Sequence, residues 1–192
     1  IISKNDVSQG HGGAMFVTTN AELSLTKDDI RENKVAMTYY GGSIYSANGA
    51  YTQCTECNIS QSSATQGGGV YLTGFNTRLG LQRSYISNNT ALHSGGGVYV
   101  SGQAILQAQD TFYSNNVARG SSDSAGGGAL YINDRAVVTS TNDRYSNNRA
   151  TKAYGGGLYA VNSAEWTCSS CNLHNNTALF NGGAIYARSA GN

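Results

Sequence analysis

Short segments of the chain place apolar or small residues at every second position, with polar residues between most of them. The alternation occurs at 23–25, 79–81, 106–108, 138–140 and 166–168. A period of two is typical of a β-strand with one buried face, whereas an amphipathic helix needs a period of 3.6. The pattern therefore predicts short strands without helical segments between them.

Two phrases recur along the whole chain. The first is Gly-Gly, a small residue, an aliphatic residue and an aromatic residue, and its copies begin at residues 12, 41, 67, 95, 127, 155 and 182. The second is an apolar residue, two further residues, Asn, any residue and then Ala or Val, at 2–7, 30–35, 59–64, 86–91, 113–118, 145–150 and 173–178, with Ser62 in place of one Asn. The aromatic of one copy precedes the next apolar residue by 14 residues in five cases and 15 in one. The distance from the Asn position to the glycines varies from 5 to 11 residues, as a surface loop permits.

A repeat near 28 residues with one rigid half and one variable half indicates a solenoid. We expect an all-β fold, a single-stranded right-handed parallel β-helix of about seven coils, since strand crossovers are usually right-handed. The coils start near residues 2, 30, 59, 86, 113, 145 and 173, and one domain spans 1–192. Both ends are expected to be uncapped, which favours a longer parent solenoid or end-to-end stacking into a filament.

The recurring asparagines predict an amide ladder along one corner of the solenoid. Asn tolerates left-handed backbone geometry and can bond to its equivalent in the next coil. The ladder comprises Asn5, Asn33, Asn89, Asn116, Asn148 and Asn176.

Charge contributes little to the surface of this chain. Charged residues make up 12% of it, about half of the roughly 25% usual for globular proteins, and the net charge is +1. No basic run marks a nucleic-acid partner, and no stretch approaches the length of about 18 apolar residues that a membrane span needs. We therefore expect neither nucleic-acid binding nor membrane insertion in this segment.

The two phrases resemble the paired GGA(I/L/V) and FxxN repeats of the polymorphic outer membrane protein family, whose β-helices share the pectin-lyase-like fold. The resemblance covers all seven coils, although Ile, Tyr or Leu replaces the Phe of FxxN throughout. That family consists of autotransporter-type surface adhesins. The resemblance implies an extracellular or cell-surface location, and partners among cell-surface glycans or host or neighbouring proteins.

An enzyme of the pectin-lyase-like type would need carboxylates or basic residues from neighbouring coils close together. In the proposed register, no two of the 11 carboxylates share a column in adjacent coils, and Asp28 and Asp143 share one four coils apart. One column alternates in sign, which predicts ion pairs on a solvated face, and consists of Lys27, Glu56, Arg83 and Asp110. His11 is interpreted as a loop residue, and the histidines fall in different coils, so the sequence predicts no catalytic residues, metal or cofactor.

The four cysteines form two Cys-x-x-Cys pairs at equivalent repeat positions, Cys54 with Cys57 and Cys168 with Cys171. Four coils would separate the pairs by about 19 Å, which excludes one shared zinc ion. We expect each pair to form a structural disulfide, as suits an oxidising extracellular setting, with free thiols as the alternative.

Period-two alternation places the aromatic residues of the first phrase on the face opposite their aliphatic neighbours. This tyrosine stripe consists of Phe16, Tyr45, Tyr71, Tyr99, Tyr131, Tyr159 and Tyr186. An outward stripe would suit sugar stacking or packing against another chain. Alternatively, the variable loops fold over the stripe, or the alternation is inverted and the rings form core.

Two further surface features remain. A flat, neutral, polar set of outward positions runs through 24, 26, 53, 55, 107, 109, 139, 141, 167 and 169. Sequons at Asn58, Asn88 and Asn175 permit N-glycosylation, at a number that chance alone would give.

These features favour a non-enzymatic extracellular β-solenoid with a structural or adhesive role. We expect it to act as a filament unit or as part of a longer surface adhesin. The alternatives are a polysaccharide lyase or hydrolase, and a glycan-binding module that uses the tyrosine stripe.

Overall fold

The computed structural model describes residues 1–122 and 124–189. Within these residues the chain forms 27 β-strands and no helix, and every strand pairing is parallel. The strands belong to four sheets, here named A to D in the order in which each coil visits them. The prediction of an all-β solenoid of about seven coils is confirmed.

Sheet A contains one strand from each coil, and its middle residues point into the core. Its strands are Ile2–Ser3, Asp29–Arg31, Asn58–Ser60, Tyr85–Ser87, Phe112–Ser114, Arg144–Ser146 and Asn172–His174. The register pairs Ile2, Ile30, Ile59, Ile86, Tyr113, Tyr145 and Leu173 in one column, which contains the seven coil starts inferred from the sequence. From Ile30 to Tyr145 these side chains are fully buried.

Sheet B follows after a sharp corner, and its strands range from two to five residues. They are Asp6–Val7, Lys34–Val35, Ser63–Gln66, Thr90–Ser94, Val117–Ala118, Arg149–Ala150 and Thr177–Ala178. The loops of variable length connect sheet B to sheet C, where the sequence predicted that insertions are tolerated.

Sheet C carries the aliphatic and aromatic residues of the glycine phrase. Its strands are Met15–Val17, Ile44–Ala47, Val70–Thr73, Val98–Ser101, Leu130–Ile132, Leu158–Val161 and Ile185–Arg188. In the four central strands the aliphatic residues on both sides of each ring, such as Val98 and Val100, lie in the main core, while Tyr99 points to the other face. The alternation inferred from the sequence is therefore not inverted.

Sheet D completes each coil with the longest and most regular strands. They are Glu22–Thr26, Tyr51–Thr55, Arg78–Gln82, Ile105–Gln109, Val137–Thr141 and Glu165–Ser169. The second and fourth positions of each strand face the core and the other three face outward, as the burial of Leu106 and Ala108 beside exposed Gln107 and Gln109 illustrates.

The glycine pairs are required by both backbone conformation and space. Gly95 has φ of 65°, a left-handed conformation that glycine adopts without steric cost. Gly96 faces the next coil so closely that a Cβ there would overlap the carbonyl oxygen of Gly128. The pair thus lets the chain turn into sheet C while neighbouring coils remain in contact.

Candidate functional site

The tyrosine stripe is a continuous stack of rings along the solenoid. Successive ring centroids are 5.0, 5.4, 4.8, 4.8, 4.9 and 5.2 Å apart from Phe16 to Tyr186. Because each ring lies face to face with its neighbours in the stack, the faces of the inner rings are occupied. A sugar ring therefore has no free aromatic face to stack on along the middle of the stripe.

The loops between sheets B and C cover much of the stripe. Tyr40 stacks on Tyr71 at 4.7 Å, and the hydroxyl of Tyr131 donates to the carbonyl of Ser124 at 2.8 Å. The four central tyrosines keep at most 8% of their surface exposed, whereas Phe16 is 55% exposed. The arrangement corresponds to the alternative in which the variable loops fold over the stripe.

The outer face of sheet D holds a shallow cavity of about 330 Å³. Its lining is uncharged and consists of Gln53, Gly80, Leu81, Gln82, Gln107, Ala108, Gln109, Thr139 and Thr141. Gly80 forms the floor, and the side-chain amide of Gln53 leans over it. The sequence showed this face to be polar and neutral, but it did not reveal the depression.

A second cavity of about 460 Å³ adjoins the first on the same face. It is lined by Glu22, Gly49, Tyr51, Asn76, Arg78 and Gln107. Gln107 lines both cavities, so the two depressions form one continuous surface across five coils of sheet D.

A buried polar cluster inside the solenoid surrounds Asp143, which is fully buried. Its carboxylate accepts a hydrogen bond from the backbone N–H of Thr111 at 2.9 Å and lies 3.5 Å from the hydroxyl of Tyr145. The hydroxyls of Tyr145 and Ser140 are 2.7 Å apart. Burial raises the pKa of Asp143 from 3.8 to about 6, and it also raises the pKa of Tyr145. Sequence reasoning placed Asp143 in a column but missed its burial.

The hydroxyl of Tyr113 lies in the same interior region and is also fully buried. It has no hydrogen-bond partner in the described part of the chain. Burial raises the pKa of Tyr113 well above its usual value. Asp143, Tyr113 and Tyr145 are all fully buried, so we regard the cluster as structural.

The asparagine column forms hydrogen bonds from coil to coil inside the corner between sheets A and B. The side-chain oxygen of Asn116 accepts from both the backbone and side-chain nitrogens of Asn89 at 3.1 Å, and its amide donates to the carbonyl of Ile86 at 2.8 Å. Equivalent bonds link the other members, Asn5 with Asn33, Asn116 with Asn148, and Asn148 with Asn176. Ser62 accepts from the backbone N–H of Asn33 at 3.1 Å in the coil that lacks the asparagine.

The ladder asparagines do not adopt the left-handed conformation that the sequence analysis considered for them. The left-handed residue is the one before each of them, such as Asn88 with φ of 56° and Asn115 with φ of 55°. The turn directs the preceding side chain outward, and the ladder asparagine therefore points into the corner, where its amide reaches backbone groups of two coils.

The two cysteine pairs differ from each other in the structure. Cys168 and Cys171 form a disulfide with a Cα–Cα distance of 6.0 Å, as expected. Cys54 and Cys57 are free thiols with no exposed surface, which departs from the expected disulfide. Enclosure by the core shields this pair, whereas the second pair is partly exposed.

The Cys54 and Cys57 thiols are hydrogen-bonded to each other, and this bond affects them in opposite directions. It raises the pKa of Cys54, together with burial, and lowers the pKa of Cys57 to about 7.

The carboxylates are dispersed over the solenoid. In the described strand register no carboxylate is paired with another one. Within residues 1–122 and 124–189 no group of three His, Cys, Asp or Glu residues is placed to hold a metal ion. Glu56 bridges Lys27 at 3.8 Å and Arg83 at 2.9 Å, in the column that the sequence showed to alternate in sign.

His11 lies in the first loop between sheets B and C and packs on aromatic rings. Its ring stacks on Tyr45 with centroids 4.6 Å apart, and its Nδ1 accepts from the backbone N–H of Tyr40 at 3.1 Å. Burial lowers the pKa of His11. These contacts give the residue a role in loop packing.

The three sequons occupy two different environments. Asn88 and Asn175 are exposed at left-handed corners, whereas Asn58 is half-buried and its amide donates to Asp29 at 2.9 Å. N-glycosylation stays a prediction, and the geometry favours the two corner sites.

Comparison with known families identifies the repeat itself. Two segments, residues 83–101 and 170–188, match the family model described as the Chlamydia polymorphic membrane protein repeat. Both segments begin at the corner before sheet A and end in the strand of sheet C, so they are the same structural unit in two coils. The resemblance inferred from the two phrases is confirmed. Neither the search of curated proteins nor that of solved structures gave a match, and the described residues contain no helix long and apolar enough to cross a bilayer.

Proposed function

We propose that this chain, which carries polymorphic membrane protein repeats, is a rigid non-catalytic solenoid displayed at a cell surface, where its outer faces contact other surfaces. The repeat family is one of outer membrane surface proteins, which supports the location. The observation that carries the proposal is the match to this repeat at the same structural unit of two coils within a continuous seven-coil solenoid.

The fold supports display more than chemistry. Parallel pairing between all neighbouring coils fixes the position of each outward side chain relative to its neighbours. Outward columns therefore form flat, rigid surfaces, which bind without losing the conformational entropy that flexible loops lose.

The distribution of acids argues against a polysaccharide-degrading site. The two catalytic carboxyl groups of most glycosidases lie about 5 to 10 Å apart on either side of the bond that is cleaved. Asp143 is the acid with a strongly raised pKa, but it is fully buried and cannot contact a substrate. Asp28 lies in the same column four coils away.

Adhesion is tested with beads that carry the folded chain, added to cultured epithelial cells under flow. The proposal predicts saturable retention that free folded chain competes away, with beads carrying the heat-unfolded chain as the control. Retention equal to that control would contradict the proposal. Release of sugars from polysaccharides by the chain, abolished by Asp28→Asn or Asp143→Asn, would favour the enzymatic alternative instead.

A further inference from the structure

We propose that the outer face of sheet D is a binding site for an extended, uncharged polysaccharide, centred on the cavity above Gly80. The proposal deepens the adhesive function and rests on it, because it names the face and the class of ligand. It differs from the earlier hypothesis of sugar stacking on the tyrosine stripe, whose inner ring faces are occupied.

The cavity presents hydrogen-bonding groups that the protein itself does not use. No hydrogen bond joins the side chains of Gln82, Gln107 or Gln109 to another group in the described part of the chain, and the same holds for Thr139 and Thr141. The amide column at the corner of sheets A and B is, by contrast, hydrogen-bonded along its length. Amides and hydroxyls that both donate and accept suit the vicinal hydroxyls of a sugar.

The lining also fixes the charge of the ligand. None of its nine residues is ionisable. The charged corner beside it has no net charge, since its column holds two bases, Lys27 and Arg83, which both pair with Glu56, and a second acid, Asp110. The adjoining cavity contains one acid, Glu22, and one base, Arg78. A neutral chain therefore matches this surface better than an acidic polysaccharide, which would need an excess of basic residues.

The spacing of the sheet suits a chain that runs across the coils. Equivalent outward residues recur about every 4.8 Å along the solenoid, and alternate residues of one strand are about 6.6 Å apart. Gln53, Gly80, Gln107 and Thr139 are aligned by the strand register in four successive coils. Successive sugar units can thus meet equivalent amide or hydroxyl groups.

Gly80 creates the depression. Its column contains Ser24, Gln53, Gly80, Gln107, Thr139 and Thr167. Gly80 is the one member without a side chain and its φ is not left-handed; a Cβ there would overlap the side-chain amide of Gln53, the flexible end of that residue, which would have to move aside. The backbone thus does not demand glycine, and we assign the residue to the space it leaves above the sheet.

One edge of this face offers an exposed aromatic ring. Tyr51 is 39% exposed, and its hydroxyl donates to the side-chain oxygen of Gln53 at 2.8 Å. Tyr51 thus links the two cavities and orients the Gln53 amide over the floor.

The experiment is isothermal titration calorimetry of the folded chain with linear neutral hexasaccharides of glucose, mannose, xylose and N-acetylglucosamine. Hexagalacturonate serves as the acidic comparison. We expect saturable binding of at least one neutral hexasaccharide. The double variant Gln107→Ala/Gln109→Ala should weaken it about tenfold or more, because each lost hydrogen bond costs several-fold in affinity.

Two further variants separate binding from folding. Gly80→Thr fills the depression with a residue found in the same column of other coils, so it should abolish binding while leaving the unfolding midpoint unchanged or higher. Thr139→Ala should weaken binding, whereas Thr167→Ala, at the same column position one coil beyond the cavity, should not.

The proposal is overturned if none of the neutral hexasaccharides binds, if hexagalacturonate alone binds, or if the lining variants bind as well as the wild type. Bead adhesion that persists when hexasaccharide binding is absent would remove this inference and leave the proposed function standing. Hexasaccharide binding without bead adhesion would remove the proposed adhesive function and leave sheet D as a saccharide-binding face.

Discussion

Replacement of Asp143 by Asn should stabilise the protein at neutral pH and reduce the pH dependence of its stability. Asp143 is fully buried and its main hydrogen bond, from the N–H of Thr111, goes to an oxygen that Asn also provides. What the substitution removes is a charge that burial disfavours. The rest of the cluster, including the Ser140 and Tyr145 hydroxyls, keeps its mutual hydrogen bond.

The magnitude follows from the pKa of Asp143, about 6 in the folded protein against 3.8 ordinarily. One pKa unit corresponds to about 1.4 kcal/mol, so up to about 3 kcal/mol of stability depends on protonation of this group. Because the folded pKa is raised, the folded state binds more protons than the unfolded state between pH values of about 4 and 6. The contribution of protonated Asp143 is therefore present below about pH 4 and is lost as the pH rises through about 6.

The assay is urea unfolding followed by circular dichroism at pH 4 and at pH 7.5, for the wild type and Asp143→Asn. The free energy of unfolding of the variant minus that of the wild type should be larger at pH 7.5 than at pH 4 by about 2 to 3 kcal/mol, because the charged wild-type carboxylate destabilises the fold at the higher pH. Asp134→Asn makes the same chemical change at an exposed corner and serves as the control. A relative stability of Asp143→Asn that is equal at the two pH values would refute the argument that a buried charge is involved.

Three further predictions concern the stacking of the coils and the thiols. Asn116→Ala should destabilise the fold by about 3 kcal/mol because it leaves buried backbone groups without hydrogen-bond partners. Asn116→Ser should destabilise it by less, since Ser62 already fills this position in one coil. Thermal unfolding of both variants measures the two losses, and equal losses would contradict the prediction. Gly96→Ala should cost about 3 kcal/mol or more through overlap with the backbone of the next coil. Gly97→Ala should cost less, because its Cβ would lie 2.8 Å from the carbonyl oxygen of Ala129, a less severe overlap, and Ala occupies this column in other coils. A reversed order of unfolding midpoints would be inconsistent with the register. The first Cys-x-x-Cys pair should resist alkylation in the folded protein and react after unfolding without reductant, as measured by mass spectrometry; resistance in both states would show a disulfide there instead.

The fold could be predicted from the sequence because the rigid half of each repeat leaves few choices. A constant 14 or 15 residues between Tyr45 and Ile59 and their equivalents has to accommodate one corner, one five-residue strand and a second corner in every coil. The alternation at 106–108 then decides which side chains enter the core. These features are local in the sequence, so they can be recognised without any knowledge of tertiary contacts.

The environments of single residues were less accessible. The burial of Asp143 depends on whether its side chain points inward or outward at a corner between two strands. The period-two alternation of the strands does not predict this, because it does not continue through the corners. Burial of Tyr71 and Tyr99 depends on loops of variable length that fold back over sheet C, and nothing in the repeat predicts their path. The cavity at Gly80 arises from a single missing side chain among larger neighbours, which only the aligned register reveals.

The central claim is that equivalent side chains of successive repeats lie above one another. The distance between two such side chains therefore depends on the number of coils between them and not on the number of residues. The claim is tested most directly by electron paramagnetic resonance distances between spin labels on Thr26 and, in turn, Gln109, Thr141 and Ser169, which share one outward column of sheet D. The account predicts backbone separations of about 14, 19 and 24 Å, that is, equal steps of one strand spacing. Distances that do not increase in equal steps of about 5 Å would contradict the stacked arrangement and every column argument built on it.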